Sequence, residues 1–257
     1  MTKTVFITGA TSGFGAACAE IFARNNYRLI LNGRRRERLE SAAASLKERF
    51  GTECFLLPFD VRDRAAVAAG VAALPAGWQG IDVLINNAGL ALGRDKFQDA
   101  DLDDWDVMLD TNVKGLLYVA RAVLPLMLAQ KSGHIINLGS VAGKEVYERG
   151  NVYCASKFAV DALSQSMRID LLSNGIKVTA IHPGAAETEF SLVRFKGNAA
   201  TAESIYDGFQ PLSAEDVASV IYYTTTLPPH VCINDLVLTC TAQADAIYFH
   251  KQPSNKG

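Results

Sequence analysis

Short runs of apolar and β-branched residues alternate along the chain with longer segments in which apolar residues recur at helical spacing. The first run, TVFITG, is followed by Phe14, Cys18 and Phe22, which share one face of a predicted helix. Six further strand candidates follow in the order RLILNG, CFLLPFD, IDVLINNAG, HIINLGS, IKVTAIHPG and DLVLTC. Because parallel strands need crossover connections, the pattern predicts an α/β fold with a seven-stranded parallel sheet and helices on both faces.

No repeat or linker divides the chain, so residues 1–257 are predicted to form a single domain. Residues from about 185 to 212 follow the strand that ends at Pro183 and mix polar with aromatic side chains without a clean period. We predict a lid there. The C-terminal tail, residues from about 241 to 257, is a candidate for docking on a neighbouring subunit.

Composition narrows the classes of partner. The chain has 25 basic and 27 acidic residues and a net charge of −2, so we expect a small-molecule partner rather than nucleic acid or a membrane. The five cysteines form no CxxC pair and the four histidines show no ligand spacing, so no metal site is expected. The first strand begins at Val5, which leaves no room for a signal segment, and no apolar run reaches membrane-spanning length. The expected location is the reducing cytoplasm.

A glycine-rich loop, TGATSGFG, joins the first strand to the first helix. Gly9, Gly13 and Gly15 allow a tight turn, a close approach of backbone to a pyrophosphate and the packing of helix against strand. The helix N-terminus supplies free amide donors for phosphate. Although such a loop can be an ordinary turn, its place between strand and helix predicts a nucleotide site.

The second strand ends in NGRRRERL, with no acidic residue to bind the ribose 2′-hydroxyl of NAD. Gly33 leaves space, and Arg34 can form a forked pair with a 2′-phosphate, with Arg35 also within reach. Arg36 and Arg38 are interpreted as the solvated start of a helix. The sequence therefore predicts NADP as the cofactor.

Two other strand ends belong to the same predicted edge. Asp60 and Val61 end the third strand, where the carboxylate can either meet the adenine amino group or cap a turn. The fourth strand ends in NNAG, residues 86–89, whose amides suit the fixing of backbone beside a cofactor.

Tyr153 and Lys157 stand four residues apart and share one helix face. An ammonium beside the phenol stabilises the phenolate, and Lys157 can also reach the nicotinamide ribose. Ser140 ends the fifth strand, and Asn112 lies within an apolar-periodic helix predicted over residues 104–124, where a buried amide needs partners. Taken singly, each of these residues also has a purely structural interpretation: Ser140 as a turn residue, Asn112 as a core amide, and Tyr153 with Lys157 as a surface pair. Cys154 is interpreted as a packing residue.

Together these motifs resemble the short-chain dehydrogenase/reductase family over nearly the whole chain. The resemblance implies a single doubly wound Rossmann domain, a homotetramer and a catalytic tetrad of Asn112, Ser140, Tyr153 and Lys157. Thr188 would then clamp the nicotinamide carboxamide, after Pro183-Gly184. The residues expected to bind NADP are Gly9, Thr11, Ser12, Gly13, Phe14, Gly15, Arg34, Arg35, Asp60, Val61, Asn87, Ala88, Gly89, Tyr153, Lys157, Pro183, Gly184 and Thr188.

Within that family the chain resembles the NADP-dependent 3-hydroxy acid dehydrogenases and the sulfoacetaldehyde reductases, through NNAGLALG, DTNVKGL, GNVYCASK, TEFSLVRFKG and LPPHVCIN. The implied reaction is hydride transfer between NADP and a small 3-hydroxy acid or its aldehyde: serine, 3-hydroxypropionate and malonic semialdehyde, or isethionate and sulfoacetaldehyde. GKEVYERG is more charged and PGAAETEF more compact than the pattern of that branch. Ser140, Tyr147, Arg149 and Arg194 are the expected substrate contacts.

A small acidic substrate needs a fixed cation beside the nicotinamide. Arg194 in SLVRFKG is the first candidate, followed by Lys196, Lys144 and Arg149, although each can also be a solvated charge. Two other functions stay open. A 3-oxoacyl carrier-protein reductase would need a basic docking surface, which the balanced charge does not favour. A non-catalytic NADP-sensing regulator would need the cofactor pocket but not the tetrad.

Overall fold

The computed structural model describes residues 2–252, except for the side chains of residues 202 and 203. The predicted seven-stranded sheet is confirmed, and every neighbouring pair of strands is parallel. The strands are β1 (Thr4–Ile7), β2 (Arg28–Asn32), β3 (Cys54–Leu57), β4 (Val83–Asn86), β5 (Gly133–Leu138), β6 (Ile176–Pro183) and β7 (Asp235–Leu238). Their order across the sheet is β3-β2-β1-β4-β5-β6-β7.

Helices connect the strands. They are α1 (Gly13–Arg24), α2 (Arg36–Phe50), α3 (Arg64–Ala72), α4 (Leu102–Leu109), α5 (Leu116–Gln130), α6 (Asn151–Asp170), α7 (Glu189–Arg194), α8 (Ala199–Ser204) and α9 (Ala214–Thr226). A capping box is present at the start of α9, where Ser213 and Asp216 exchange hydrogen bonds.

The sheet is buried on both faces because successive side chains of a strand point to opposite sides. In β1, Val5 and Ile7 pack on one face in a core that includes Phe22 of α1. Phe6 packs on the other face in a core that includes Val123 of α5. This explains why the strands read as continuous apolar runs rather than as alternating patterns.

The order of the strands reverses at β1. Ile7 pairs with Leu31 of β2 on one side and with Ile85 of β4 on the other. The chain builds the two halves of the sheet outward from this point, so the loops that follow β1 and β4 diverge and open a crevice at the carboxyl edge.

The helix predicted over residues 104–124 is longer and is interrupted. A π-helical segment, Asp110–Gly115, joins α4 to α5. The combined helix Leu102–Gln130 is long and apolar enough to span a membrane by length and composition, so the expectation that no segment reaches that length was wrong. Its buried residues, such as Val119 and Val123, pack against the sheet, which accounts for its apolar character.

The predicted lid contains two short helices, α7 and α8, which the sequence period did not indicate. The described part of the C-terminal tail lies on this segment of its own chain. The Gln252 amide donates to the Gly208 carbonyl at 2.8 Å, and the Phe249 and Phe209 rings are 5.2 Å apart. The tail therefore covers the lid of the same chain. Docking of the tail on a neighbouring subunit stays a prediction, and residues 253–257 lie outside the described residues.

Candidate active site

Two adjoining cavities open at the carboxyl edge of the sheet. The first has a volume of about 250 Å³ and runs from the glycine-rich loop past the ends of β2 and β3 to Tyr153. The second has a volume of about 980 Å³ and lies between Ser140, the lid and the tail. Tyr153 and Thr188 line both cavities, so a molecule in one meets a molecule in the other at these side chains.

The glycine-rich loop has the geometry that nucleotide binding requires. Gly9 and Gly13 have positive φ angles of +64° and +50°, which side chains rarely adopt. A Cβ atom on Gly15 would overlap the Gly9 carbonyl and the Asn87 side chain. Glycine at these positions therefore keeps the backbone tight, and the start of α1 faces the first cavity.

Asn87 connects the glycine-rich loop to the end of β4. Its side-chain amide donates to the Thr8 carbonyl at 2.8 Å and to the Gly9 carbonyl at 3.2 Å. The Thr8 hydroxyl accepts from the backbone amides of Asn87 and Ala88, each at 3.0 Å. The predicted role of NNAG as a support for the backbone agrees with these bonds, and Ala88 and Gly89 line the first cavity.

Most of the predicted cofactor residues line the first cavity together. These are Gly9, Thr11, Ser12, Gly13, Phe14, Arg34, Arg35, Asp60, Val61, Asn87, Ala88, Gly89, Tyr153, Lys157 and Thr188. Pro183 and Gly184 instead line the second cavity, and Gly15 acts through packing.

Arg36 and Arg38 behave as the sequence predicted, since they form exposed ion pairs with Glu40 and Glu189 at 3.7 Å.

Asp60 forms an ion pair with Arg62, whose guanidinium donates to the carboxylate at 2.7 Å. Burial raises the pKa of Asp60, but the hydrogen bonds from Arg62 outweigh it and hold the pKa below its usual range. The carboxylate also accepts from the Arg62 backbone amide, so the turn-capping interpretation of this residue has the stronger support.

Tyr153 and Lys157 are both buried on the inner face of α6. The Lys157 ammonium donates to the Leu138 carbonyl at 2.8 Å and lies 5.9 Å from the centre of the Tyr153 ring. Burial lowers the pKa of Lys157 from its usual 10.5 to about 8. Gly89 lies beside the ammonium, because a Cβ atom there would be in ordinary contact with the Lys157 nitrogen at 3.5 Å.

The pKa of Tyr153 is not governed by Lys157 in this arrangement. Burial raises the phenol pKa above its usual value, since the ionised form loses contact with water. A hydrogen bond with Ser140 and the charge of Arg194 act in the opposite direction. The expected stabilisation of the Tyr153 phenolate by a close ammonium is therefore absent here, because Lys157 is turned toward Leu138 and burial dominates.

Ser140 follows β5 and holds its hydroxyl beside Tyr153. Its oxygen accepts from the Ala142 amide at 3.1 Å, which caps the short helical turn over residues 141–143. A contact of 3.5 Å to the Pro183 carbonyl is too long to hold the hydroxyl proton firmly. The hydroxyl can therefore turn toward a substrate oxygen in the second cavity.

Asn112 occupies the π-helical segment and is fully engaged. Its amide group donates to the Leu90 carbonyl at 2.8 Å and to the Ser156 hydroxyl at 3.0 Å, and its oxygen accepts from the Leu90 amide at 2.8 Å. The π-helical turn interrupts the regular helix at this residue. This residue ties the segment after β4 to α6, beside Gly89 and Lys157.

Arg194 brings a positive charge to the reacting end. Its guanidinium lies 5.4 Å from the Tyr153 ring centre and 5.6 Å from that of Tyr147. It donates to the Tyr147 hydroxyl at 3.0 Å and to the Gly93 carbonyl at 3.3 Å. Among the side chains that the structure describes, no carboxylate forms an ion pair with Arg194. Its charge faces the second cavity without neutralisation from these groups.

The other candidate cations are placed differently. Lys196 pairs with Asp104 at 2.9 Å, and Lys144 pairs with Asp161 at 3.1 Å and with Asp235, so these two candidates for substrate binding were wrong. Arg149 lines the second cavity, but its side chain is exposed. Arg194 is therefore the best placed of the four.

Several residues of the second cavity carry no signal in the sequence. Arg94, Phe190, Tyr206, Gln243 and Phe249 all line it. The Phe190 ring centre lies 5.7 Å from that of Tyr153. No spacing signal connects these positions, because the fold brings them together from separate segments. Thr188 was identified, and its hydroxyl caps α7 by accepting from the Phe190 amide at 3.2 Å.

Gln243 links the tail to the end of β6. Its oxygen accepts from the Ala185 amide at 2.7 Å, and its amide group donates to the Asp245 carbonyl at 2.8 Å. A Cβ atom on Gly184 would overlap the Gln243 side chain.

Cys154 is buried with Met108 and Tyr153 in a small apolar cluster, as its interpretation as a packing residue requires.

Comparison with known proteins gives consistent matches along this chain. The short chain dehydrogenase family matches residues 3–198. The NADP-dependent 3-hydroxy acid dehydrogenase YdfG of Escherichia coli strain K12 is 45% identical over 250 residues, which cover 96% of this chain and 99% of that protein. Sulfoacetaldehyde reductase 2 of Chromohalobacter salexigens is 48% identical over 245 residues, 95% of this chain and 96% of that protein.

A solved structure has the same overall fold. The closed form of a serine dehydrogenase in complex with NADP+ superposes with a TM-score of 0.90 at 45% sequence identity. The match covers 97% of this chain and 100% of that one. The similarity therefore includes the lid and most of the tail.

Proposed function

Because this chain belongs to the short-chain dehydrogenase family, we propose that it transfers a hydride between NADP and a small 3-hydroxy acid or the corresponding aldehyde or ketone. The single observation that carries the acidic substrate is Arg194, whose guanidinium lies 5.4 Å from the ring of the proton-donating Tyr153. The candidate pairs are serine and its oxidised form, 3-hydroxypropionate and malonic semialdehyde, and isethionate and sulfoacetaldehyde. Proteins with these activities in their names are 45% to 48% identical to this chain.

The first cavity fits NADP. Gly9, Gly13 and Gly15 keep side chains away from the start of α1, where backbone amides can receive a pyrophosphate. Arg34 and Arg35 line the same cavity where a 2′-phosphate would lie, and the described side chains offer no carboxylate at the end of β2 to favour NAD. When bound, NADP supplies the nicotinamide carbon that accepts or returns the hydride.

The tetrad transfers the proton and polarises the substrate oxygen. In the oxidation direction, Tyr153 removes the hydroxyl proton, and in reduction it returns that proton to the forming alkoxide. Ser140 donates a hydrogen bond to the same oxygen and polarises it. The Lys157 ammonium stabilises the charged phenolate only if it turns from the Leu138 carbonyl toward the phenol or the ribose, which is the movement we propose on cofactor binding.

Arg194 holds the acidic group of the substrate in this proposal. A guanidinium presents planar paired donors that match a carboxylate or a sulfonate. Its hydrogen bonds to Tyr147 and Gly93 fix its position, while the cavity side stays available. A three-carbon acid is only about as long as one side chain. When Arg194 binds its acidic group, the carbon that bears the hydroxyl therefore lies near Tyr153 and Ser140.

The test is NADPH oxidation by the purified protein with malonic semialdehyde and sulfoacetaldehyde, compared with propanal. Faster turnover of an acid supports the proposal. NADPH binding without turnover of any carbonyl would instead support the NADP-sensing regulator. Turnover of acetoacetyl carrier protein alone would support the 3-oxoacyl carrier-protein reductase.

We also propose that the protein is a cytoplasmic homotetramer. Large apolar side chains are exposed on α4, α5 and α6, where a pair of subunits would cover them: Leu102, Leu109, Leu117, Phe158 and Ile169. All five cysteines are free thiols, which suits a reducing compartment. Light scattering on the purified protein should give the mass of four 27.7-kDa chains, and the mass of one chain would contradict the tetramer.

A further inference from the structure

Directly behind the catalytic serine lies a group of titratable side chains that the reaction as described does not use. It consists of Lys144, Asp161, His182 and Asp235, which we call the rear cluster. His182 of β6 is 0% exposed, and its Nε2 atom lies 3.1 Å from Asp235 Oδ1 and 3.7 Å from Asp161 Oδ1. Lys144 forms ion pairs with both carboxylates. Asp161, His182 and Asp235 are close enough together to hold a metal ion. The Lys144 ammonium, however, already supplies the cation between the two carboxylates.

The other nitrogen of His182 reaches the catalytic serine. Nδ1 lies 3.2 Å from the Ser140 carbonyl oxygen. A carbonyl oxygen only accepts hydrogen bonds, so Nδ1 must carry a proton and donate. The Gly143 amide, at 2.8 Å, is a second donor to the same oxygen. The peptide group that follows Ser140 is therefore held by one bond within its own turn and one from the neighbouring strand.

The fold makes room for this contact. A Cβ atom on Gly139 would overlap the His182 ring, so the imidazole packs closely against the backbone that leads into Ser140. Pro183, the next residue of β6, points its carbonyl toward the Ser140 hydroxyl at 3.5 Å. Two consecutive residues of β6 thus contact the carbonyl and the hydroxyl of the same serine.

The rear cluster also connects the serine to α6. Asp161 stands one helical turn after Lys157, which itself stands one turn after Tyr153, so all three lie along one face of α6. Burial, followed by the Lys144 charge, lowers the pKa of His182, while Asp235, the Ser140 carbonyl and Asp161 act in the opposite direction. A neutral imidazole carries one proton, and the Ser140 carbonyl requires it on Nδ1.

We propose that His182 is a positioning residue for the reaction, which holds the Ser140 peptide through Nδ1 while close packing against the backbone at Gly139 holds the ring. Loss of the Nδ1 bond lets the peptide rotate and moves the serine hydroxyl away from the substrate oxygen. Small displacements of a group that stabilises the transition state cost large factors in rate. The proposal rests on the proposed oxidoreductase function but not on the identity of the substrate.

The chain offers a matched control. His134 of β5 is also buried, and its Nε2 atom lies 2.7 Å from the Thr179 hydroxyl. It stands near the amino end of its strand, away from the two cavities. Replacement of His134 or His182 by leucine removes one buried, hydrogen-bonded imidazole in each case. Only His182 touches Ser140.

The experiment compares His182→Leu, His182→Asn and His134→Leu, with kcat measured on whichever carbonyl of the panel the wild type turns over fastest. Thermal unfolding and NADPH binding by fluorescence are measured on the same samples. We expect His182→Leu to lower kcat by about 10- to 100-fold, with the dissociation constant of NADPH within about twofold of the wild type. An asparagine amide can donate in place of Nδ1, so His182→Asn should recover most of the loss. His134→Leu should lower the unfolding temperature and keep kcat.

The proposal is overturned if folded His182→Leu keeps kcat within about twofold, if His134→Leu loses as much, or if His182→Asn recovers nothing. If His182→Leu does not fold, His182→Gln decides, because the glutamine amide takes the place of Nε2 and leaves no donor at the place of Nδ1. A several-fold fall in kcat with unchanged NADPH binding then supports the proposal, and an unchanged kcat overturns it. A wild type that binds NADPH but turns over no carbonyl would overturn the proposed function instead.

Discussion

The guanidinium of Arg194 lies 5.4 Å from the ring centre of Tyr153, although 41 positions separate them and they belong to α7 and α6. This relationship places a cation beside the residue that handles the proton. It also joins substrate recognition and proton transfer in one cavity.

Arg194→Met should therefore raise KM for an acidic substrate by about 10- to 100-fold, the effect of losing a charge-assisted pair of hydrogen bonds. The kcat/KM for a neutral alcohol of the same size should change by less than about threefold, because no charge is bound there. Lys196→Met is the control, since Lys196 lies in the same segment but is paired with Asp104. Steady-state kinetics on both substrates check this. An equal loss on acid and neutral alcohol would mean that Arg194 supports the fold of the site.

Arg34→Ala should weaken NADPH binding by about 10- to 100-fold and leave NADH binding unchanged, because only NADPH carries the 2′-phosphate. Arg38→Ala is the control, since Arg38 is not among the residues that line the first cavity, although its ion-pair partner Glu189 is. Fluorescence titration with both nucleotides gives the two dissociation constants. A parallel loss for NADH would contradict recognition of the 2′-phosphate.

Tyr153→Phe should abolish measurable turnover, because the phenol hydroxyl carries the transferred proton. The ring remains, so the packing against Phe190 is kept, and NADPH should bind within about twofold of the wild type. Steady-state turnover and fluorescence titration are measured on one preparation. Turnover above about one tenth of the wild type would exclude Tyr153 as the proton donor.

The buried ammonium of Lys157 should cost stability in the protein without cofactor. Its pKa falls to about 8 on folding from a usual 10.5, so below pH 8 both states carry the charge and the folded state bears the full penalty. Between pH 8 and 10.5 the unfolded chain binds more protons, and the stability of the wild type rises with pH. Lys157→Met should thus stabilise the protein by about 2 to 3 kcal/mol at pH 7, and by less at pH 9.5.

Thermal or denaturant unfolding of wild type and Lys157→Met at pH 7 and pH 9.5 tests this. Lys114→Met is the control, because Lys114 is exposed and pairs with Asp110 at 2.7 Å. That change should have little effect at either pH. A Lys157→Met protein less stable than the wild type at pH 7 would show that the ammonium has stabilising partners.

The tail should contribute to substrate binding in its own chain. Phe249 lines the second cavity and packs on Phe209, so Phe249→Ala should raise KM for the substrate several-fold and leave NADPH binding unchanged. The adjacent Tyr248 is 71% exposed, and Tyr248→Ala is the control. Equal effects of the two substitutions on KM would argue against this placement of the tail.

The sheet and the tetrad positions could be predicted because their signals are local. Seven apolar runs mark the strands, and the carboxyl ends of parallel strands meet at one edge, which brings Ser140 and the glycine-rich loop together. The i, i+4 spacing alone places Tyr153 and Lys157 on one face of a helix. Asn87 and Asn112 also lie at this edge, so hydrogen bonds from their side chains to nearby backbone groups could be expected as well.

The remaining features depend on tertiary contacts that no local period carries. The pKa of Tyr153 was misjudged because spacing reports the neighbour Lys157 but not the burial of the phenol. Lys144 was misassigned because its partners Asp161 and Asp235 come from α6 and β7. The covering of the second cavity by the tail depends on contacts across about 40 residues, such as Phe209 with Phe249.

The most direct test of the central claim is the rate of NADP reduction by the wild type with 3-hydroxypropionate, L-serine and isethionate, each compared with 1-propanol. We expect kcat/KM for at least one acid to exceed that for 1-propanol by about tenfold or more, because Arg194 binds only the charged substrate. Equal or higher kcat/KM for 1-propanol would leave the tetrad in place and contradict the assignment of a small hydroxy acid as the substrate.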